Sequence, residues 1–189
     1  MRFLQSDRLK YVFWFIVVVS WIGGFAFSRW YGTIDSFVSI SYVVRVTNPA
    51  NLATSWQLFL FFTLSAVSAF VLTHILFGAG GFLFFFARGM YDHLLFSYVE
   101  ETVTGWSLAE VPFSELKIIT IIVLIFCINL PLTLWGGQLG VQRSVYTLNR
   151  LRSKPMDPDF GSEPFSKLVV ILILSMIGAL VSAVIFSYI

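Results

Sequence analysis

The chain has 189 residues, 58% of them hydrophobic and 12% charged, against roughly 25% charged in an ordinary soluble domain. Its formal net charge of +2 gives a nucleic-acid partner no support, and its single cysteine, Cys127, excludes a disulfide within it. The polar stretches are too short to bury a soluble core of their own, so the composition leaves one integral membrane domain over residues 1–189.

Arg2, Arg8 and Lys10 precede the first apolar run, 11–28. That run holds Trp14, Trp21 and several phenylalanines, and no small-residue cleavage pattern follows it. It reads as a retained signal anchor. Residues 31–55 then mix Ile34, Phe37, Val38 and Ile40 with Ser39, Ser41 and Arg45, a pattern suited to a half-buried connector or to a segment lying in the membrane interface. Asn48-Pro49-Ala50-Asn51 ends that segment.

Between Arg45 and Arg88 there is no Asp, Glu, Lys or Arg. A single helix over 56–87 would rise to about 50 Å, well beyond a hydrocarbon core of about 30 Å. Gly78-Ala79-Gly80-Gly81 lies within the run, and glycine tolerates the positive φ that reverses a helix. Splitting there predicts spans at 58–77 and 82–99. Further spans follow at 116–138 and 168–188, for an all-α polytopic bundle of about five spans. With a basic connecting segment at 141–155, which reads as an amphipathic helix ended by Pro155, both it and the N-terminus fall on the cytoplasmic face of a cell membrane. An unbroken helix over 58–87 would instead leave four spans and put one basic cluster outside.

The polar residues inside these spans are the candidates for function. Arg88 and Asp92 are four apart on one helical face and can form a charge-assisted pair. With His93, Asn129 and His74 they make a candidate intramembrane polar cluster, which either holds helices together or lines a polar route. Their spacing fits no standard metal site. Pro131 cannot donate to the carbonyl of Cys127, so a helix kink is expected there. Ser65, Ala69 and Thr73, and likewise Ser175, Ala179 and Ala183, form small-residue rows for helix packing, against this chain or a partner. Arg143, Arg150, Arg152 and Lys154 are placed to contact anionic lipid. Walker, G-x-S-x-G, H-E-x-x-H, C-x-x-C and dinucleotide signatures are absent, so no catalytic residue, cofactor or metal is expected.

Phe86-Ala87-Arg88-Gly89-Met90 after the glycine cluster, Ile128-Asn129-Leu130-Pro131, and Gly136-Gly137-Gln138-Leu139-Gly140-Val141-Gln142-Arg143 together resemble the stage II sporulation protein M family, over about 56–155. The chain departs from that pattern where Arg88-Gly89 replaces an Asn-Gly pair and Asn129 replaces an acidic residue. The resemblance implies a multispan component without catalytic residues that works beside partners. The sequence therefore points to a membrane scaffold or accessory subunit, partnered by the bilayer and by membrane proteins or its own copies. The alternative is a transport component with a polar path near Arg88, Asp92 and Asn129.

Overall fold

The computed structural model describes residues 2–31, 55–75, 78–105, 111–152 and 159–188. All but a few turn and connecting residues among them are helical, with no strand. The helices are α1 (Arg2–Tyr31), α2 (Ser55–Ile75), α3 (Ala79–Gly105), α4 (Phe113–Leu124), α5 (Leu130–Leu151) and α6 (Asp159–Tyr188). A π-turn, Ile125–Asn129, joins α4 to α5, so Phe113–Leu151 is one continuous helical column. The segment predicted to lie in the interface, 31–55, falls outside the described residues except at its ends.

The glycine cluster does break the long apolar run. α2 ends at Ile75, Gly78 has φ +91°, and its N–H donates 2.8 Å to the carbonyl of Thr73. An amide reaching back to the last turn from a left-handed glycine is how helices commonly stop. Beyond the turn α3 runs back along α2: Gly81 meets Thr73, Arg88 lies 5.0 Å over the Phe61 ring, and Leu95 clusters with Leu58. The two helices are antiparallel.

The other contacts set the remaining directions. Phe13 clusters with Phe85 while Phe25 meets His93 and Phe96, so α1 runs parallel to α3. Ser65 meets Asn129 and Thr73 meets Gly140, so α2 runs parallel to α5. Phe62 meets Gly178 and Phe70 meets Phe165, so α6 is antiparallel to α2. Consecutive long helices therefore alternate in direction. Arg143, Arg150 and Arg152 gather at the end that holds the Gly78 turn, and Glu100, Glu101 and Glu115 at the other.

Among the described residues, four helical segments are long and apolar enough to cross a membrane: Tyr11–Tyr31, Leu58–Ile75, Phe113–Leu151 and Glu163–Ile185. The chain is a multi-pass membrane protein built as an all-α bundle. The remaining helix, α3, has 27 residues and a length of about 40 Å. It is less apolar because Arg88, Asp92 and His93 lie within it. At the third column the basic amphipathic helix read from 141–155 is helical as far as Leu151 and continues the column. At Pro131 the missing donor is absorbed by the π-turn, where the Leu130 N–H reaches the carbonyl of Ile125. Widening the ladder by one residue accommodates proline without ending the helix.

Candidate functional site

The side chains that the sequence marks as expensive in lipid meet near the middle of the bundle. Arg88 Nε donates 2.8 Å to Asp92 Oδ1 within α3. Trp21 of α1 donates its indole N–H, at 2.8 Å, to the other carboxylate oxygen. Arg88 Nη1 donates 2.7 Å to Asn129 Oδ1. The Asn129 amide nitrogen donates to Ser65 Oγ at 2.8 Å and to the Phe62 carbonyl at 3.2 Å. Thr133 adds bonds to Ser65 Oγ at 3.3 Å and to the Asn129 carbonyl at 2.7 Å. Asp92 and Asn129 are wholly buried and Arg88 is 5% exposed.

This geometry follows from local sequence. The four-residue spacing of Arg88 and Asp92 puts both on the α3 face that meets its neighbours. Asn129 closes the π-turn, whose extra residue rotates everything after it by about 100° relative to an uninterrupted α-helix. Asn129, Thr133, Gly136, Gly140 and Ser144 consequently make one stripe against α2. The orientation of the Asn129 amide is set by its partners: a guanidinium only donates, so the oxygen must face Arg88. The rings of Phe61 and Tyr91 lie 5.0 and 5.8 Å from the guanidinium carbon and shield its faces. Arg88 Nη2 and the Tyr91 hydroxyl are buried without a hydrogen-bond partner.

The two histidines lie elsewhere. His93 shares α3 but points to another side, where Nδ1 meets Ser28 Oγ at 3.1 Å and Nε2 meets Ser97 Oγ at 3.4 Å. His74 is at the Gly78 end, 6.1 Å from the Phe70 ring centroid. Neither touches the Arg88 network. Of the five residues grouped from sequence, the fold assembles Arg88, Asp92 and Asn129.

The small-residue rows face inward. Ser65 bonds Asn129, Ala69 is buried beside Phe13, Val17 and Phe85, and Thr73 packs against Gly81 and Gly140. On α6, Ser175 and Ala179 are buried and Ala183 is half-buried. Beside that row, a Cβ on Gly178 would come within 3.0 Å of Ile128 and Phe62. Arg143 is stacked over Tyr146 and Phe165, Arg150 and Arg152 are exposed, and Lys154 lies outside the described residues.

Among the participants without an advance reading are Trp21, Ser144 and the glycine pair Gly24 and Gly89. Trp21 carries an indole N–H that must find an acceptor when buried in mid-span, and that requirement was the available signal. Ser144 donates to the carbonyls of Thr73 and His74, at 3.1 and 2.5 Å. Its signal was the 129-133-136-140-144 spacing. The third, Gly89 with its counterpart Gly24, gave none: a Cβ on Gly24 would lie 1.9 Å from the Phe86 carbonyl oxygen, and one on Gly89 2.0 Å from that of Trp21. Compared with known proteins, the chain matches no family model, no curated protein and no solved structure.

Proposed function

We propose that this chain is a non-enzymatic scaffold or accessory subunit of a membrane protein complex. One observation carries the reading. The ionisable and amide groups at mid-depth, Arg88, Asp92 and Asn129, are bonded to one another and to Trp21 and Ser65, so they tie four helical columns into one body. A rigid body with a largely apolar exterior suits a component that presents surfaces to other membrane proteins. The resemblance of 56–155 to the stage II sporulation protein M family points the same way, toward a protein that works beside partners. In this reading α3 also crosses the bilayer, its ion pair neutralised inside the bundle. The Gly78 end, with Arg143, Arg150 and Arg152, faces the cytoplasm.

Purification in mild detergent should recover a second membrane protein in fixed stoichiometry. A clean monomer that performs alone would sink the scaffold reading. Reporter fusions at residues 56 and 104 should fall on one face of the membrane and a fusion at 152 on the other. Opposite faces for 56 and 104 would remove α3 as a crossing helix.

The transport reading has one observation in its favour: Arg88 Nη2 and the Tyr91 hydroxyl are buried without partners, the kind of group a passing polar solute could meet. A proton or chloride leak in proteoliposomes, absent from empty vesicles and abolished in Asp92→Asn, would replace the scaffold reading with that one. A charge swap at positions 88 and 92 is a poor discriminator. It would also break the bonds to Trp21 and Asn129.

A further inference from the structure

The π-turn carries the third column past Pro131, but its bonds leave one carbonyl over. The Phe126 carbonyl would accept from Leu130 in an α-helix, or from residue 131 in a π-helix. The Leu130 N–H is given to Ile125, and Pro131 has none to give. Phe126 therefore lacks a ladder donor. Its carbonyl opens toward Leu130, which is half-buried, and Pro131, which is exposed, at the depth of Asn129. In lipid no water replaces a missing donor, so such a group is costly until a neighbour supplies one. Beside it Cys127 is exposed, and its thiol donates to nothing among the described residues. Val123 and Pro131, one turn to either side, are exposed as well, and so is Thr120.

An unused acceptor and an unused donor thus lie side by side on one outward face at mid-depth. An acyl chain can answer neither. Two copies of a membrane protein share one orientation, so a two-fold axis along the bilayer normal sets each residue against its equivalent at the same depth. There the donor of each copy meets the acceptor of the other. Thr120, Val123 and Cys127 are small enough for the two columns to come close. The outward face of α6, lined by Ile173, Leu174, Met176 and Ile177, offers no such groups. We propose that two copies of this chain pair through the face that carries Thr120, Val123, Cys127 and Pro131. The Cys127 thiol of each copy donates to the Phe126 carbonyl of the other. The pairing holds whether or not the chain is a scaffold.

Cys127 is the only cysteine, so it reports on the contact directly. Proteoliposomes of the full chain are treated with copper phenanthroline, and disulfide-linked dimers are counted on a non-reducing gel. Cys127 should give mostly dimer, and so should Val123→Cys in a Cys127→Ser background. Met176→Cys in the same background should give little. Equal crosslinking at all three positions, or a preference for Met176→Cys, would overturn the face. The hydrogen bonds are read from the monomer–dimer dissociation constant, by energy transfer between copies labelled at the N-terminus and diluted in bicelles. Cys127→Ala removes the donor and Pro131→Ala returns an N–H to the ladder, so each should weaken pairing by about fivefold. Cys127→Ser, with a stronger donor, should not weaken it. Alanine at 131 is the better helix former, so that variant keeps the helix. Unchanged affinity in Pro131→Ala would overturn the carbonyl as the recognised group. In native membranes, Cys127 crosslinked to a different protein rather than to its own copy would overturn the second copy as the occupant.

Discussion

Two helix crossings carry this bundle, and they reach close contact by different means. Where α1 crosses α3, single glycines surrounded by aromatic residues interlock: Gly24 touches the α3 backbone at Phe86, and Gly89 touches the α1 backbone at Trp21. Polar bonds flank the crossing, from Trp21 to Asp92 and from Ser28 to His93. Where α2 runs beside α5, a long stripe of small residues does the work. Gly136 and Gly140 approach Ala66, Phe70 and Thr73, and Ser144 bonds the last carbonyls of α2. In lipid no hydrophobic drive brings helices together, so both crossings depend on backbone approach and hydrogen bonds. A stripe spreads that contact over several turns. Along the α1–α3 crossing the tightest backbone approach is confined to Gly24 against Phe86 and Gly89 against Trp21, with the ion pair beside it.

Substitutions at each crossing test that contrast by their effect on unfolding free energy in bicelles. The largest loss is expected from Asp92→Leu, about 3–5 kcal/mol, because Arg88 is left buried without its counter-charge. The Arg88→Leu/Asp92→Leu double variant should lose less than Asp92→Leu alone, and an equal or greater loss would mean the pair stabilises the bundle in its own right. Gly89→Ala should cost about 3 kcal/mol, since the added methyl meets a backbone carbonyl that has no rotamer to retreat into. Trp21→Phe keeps most of the packing and removes a donor to Asp92, for a loss of about 1.5 kcal/mol.

Smaller effects are expected on the stripe. Gly136→Ala places a methyl 2.8 Å from the Ala66 carbonyl oxygen, a milder clash that a small helix shift relieves at a cost of about 1 kcal/mol. Ser144→Ala should cost about 0.6 kcal/mol, the average for a hydrogen bond between membrane helices. If Gly136→Ala proved as damaging as Gly89→Ala, the distinction between a concentrated and a distributed crossing would fail.

The sequence alone determined the features that depend on neighbours along the chain. Uncharged runs too long for one crossing required a membrane and a reversal, and Gly78 supplied it because only glycine takes positive φ without strain. The Arg88–Asp92 pair follows from four-residue spacing on one helix, and the unsatisfied ladder above Pro131 is a covalent consequence of proline. Tertiary structure alone decided which groups completed these beginnings. Asn129 answers Arg88 across 41 positions and Trp21 answers Asp92 across 71, while His93 and His74, as good by composition, face elsewhere. The small rows turned inward rather than toward a partner for the same reason: a pattern on one helix states that a close neighbour is needed, and only the packed bundle states which neighbour arrives.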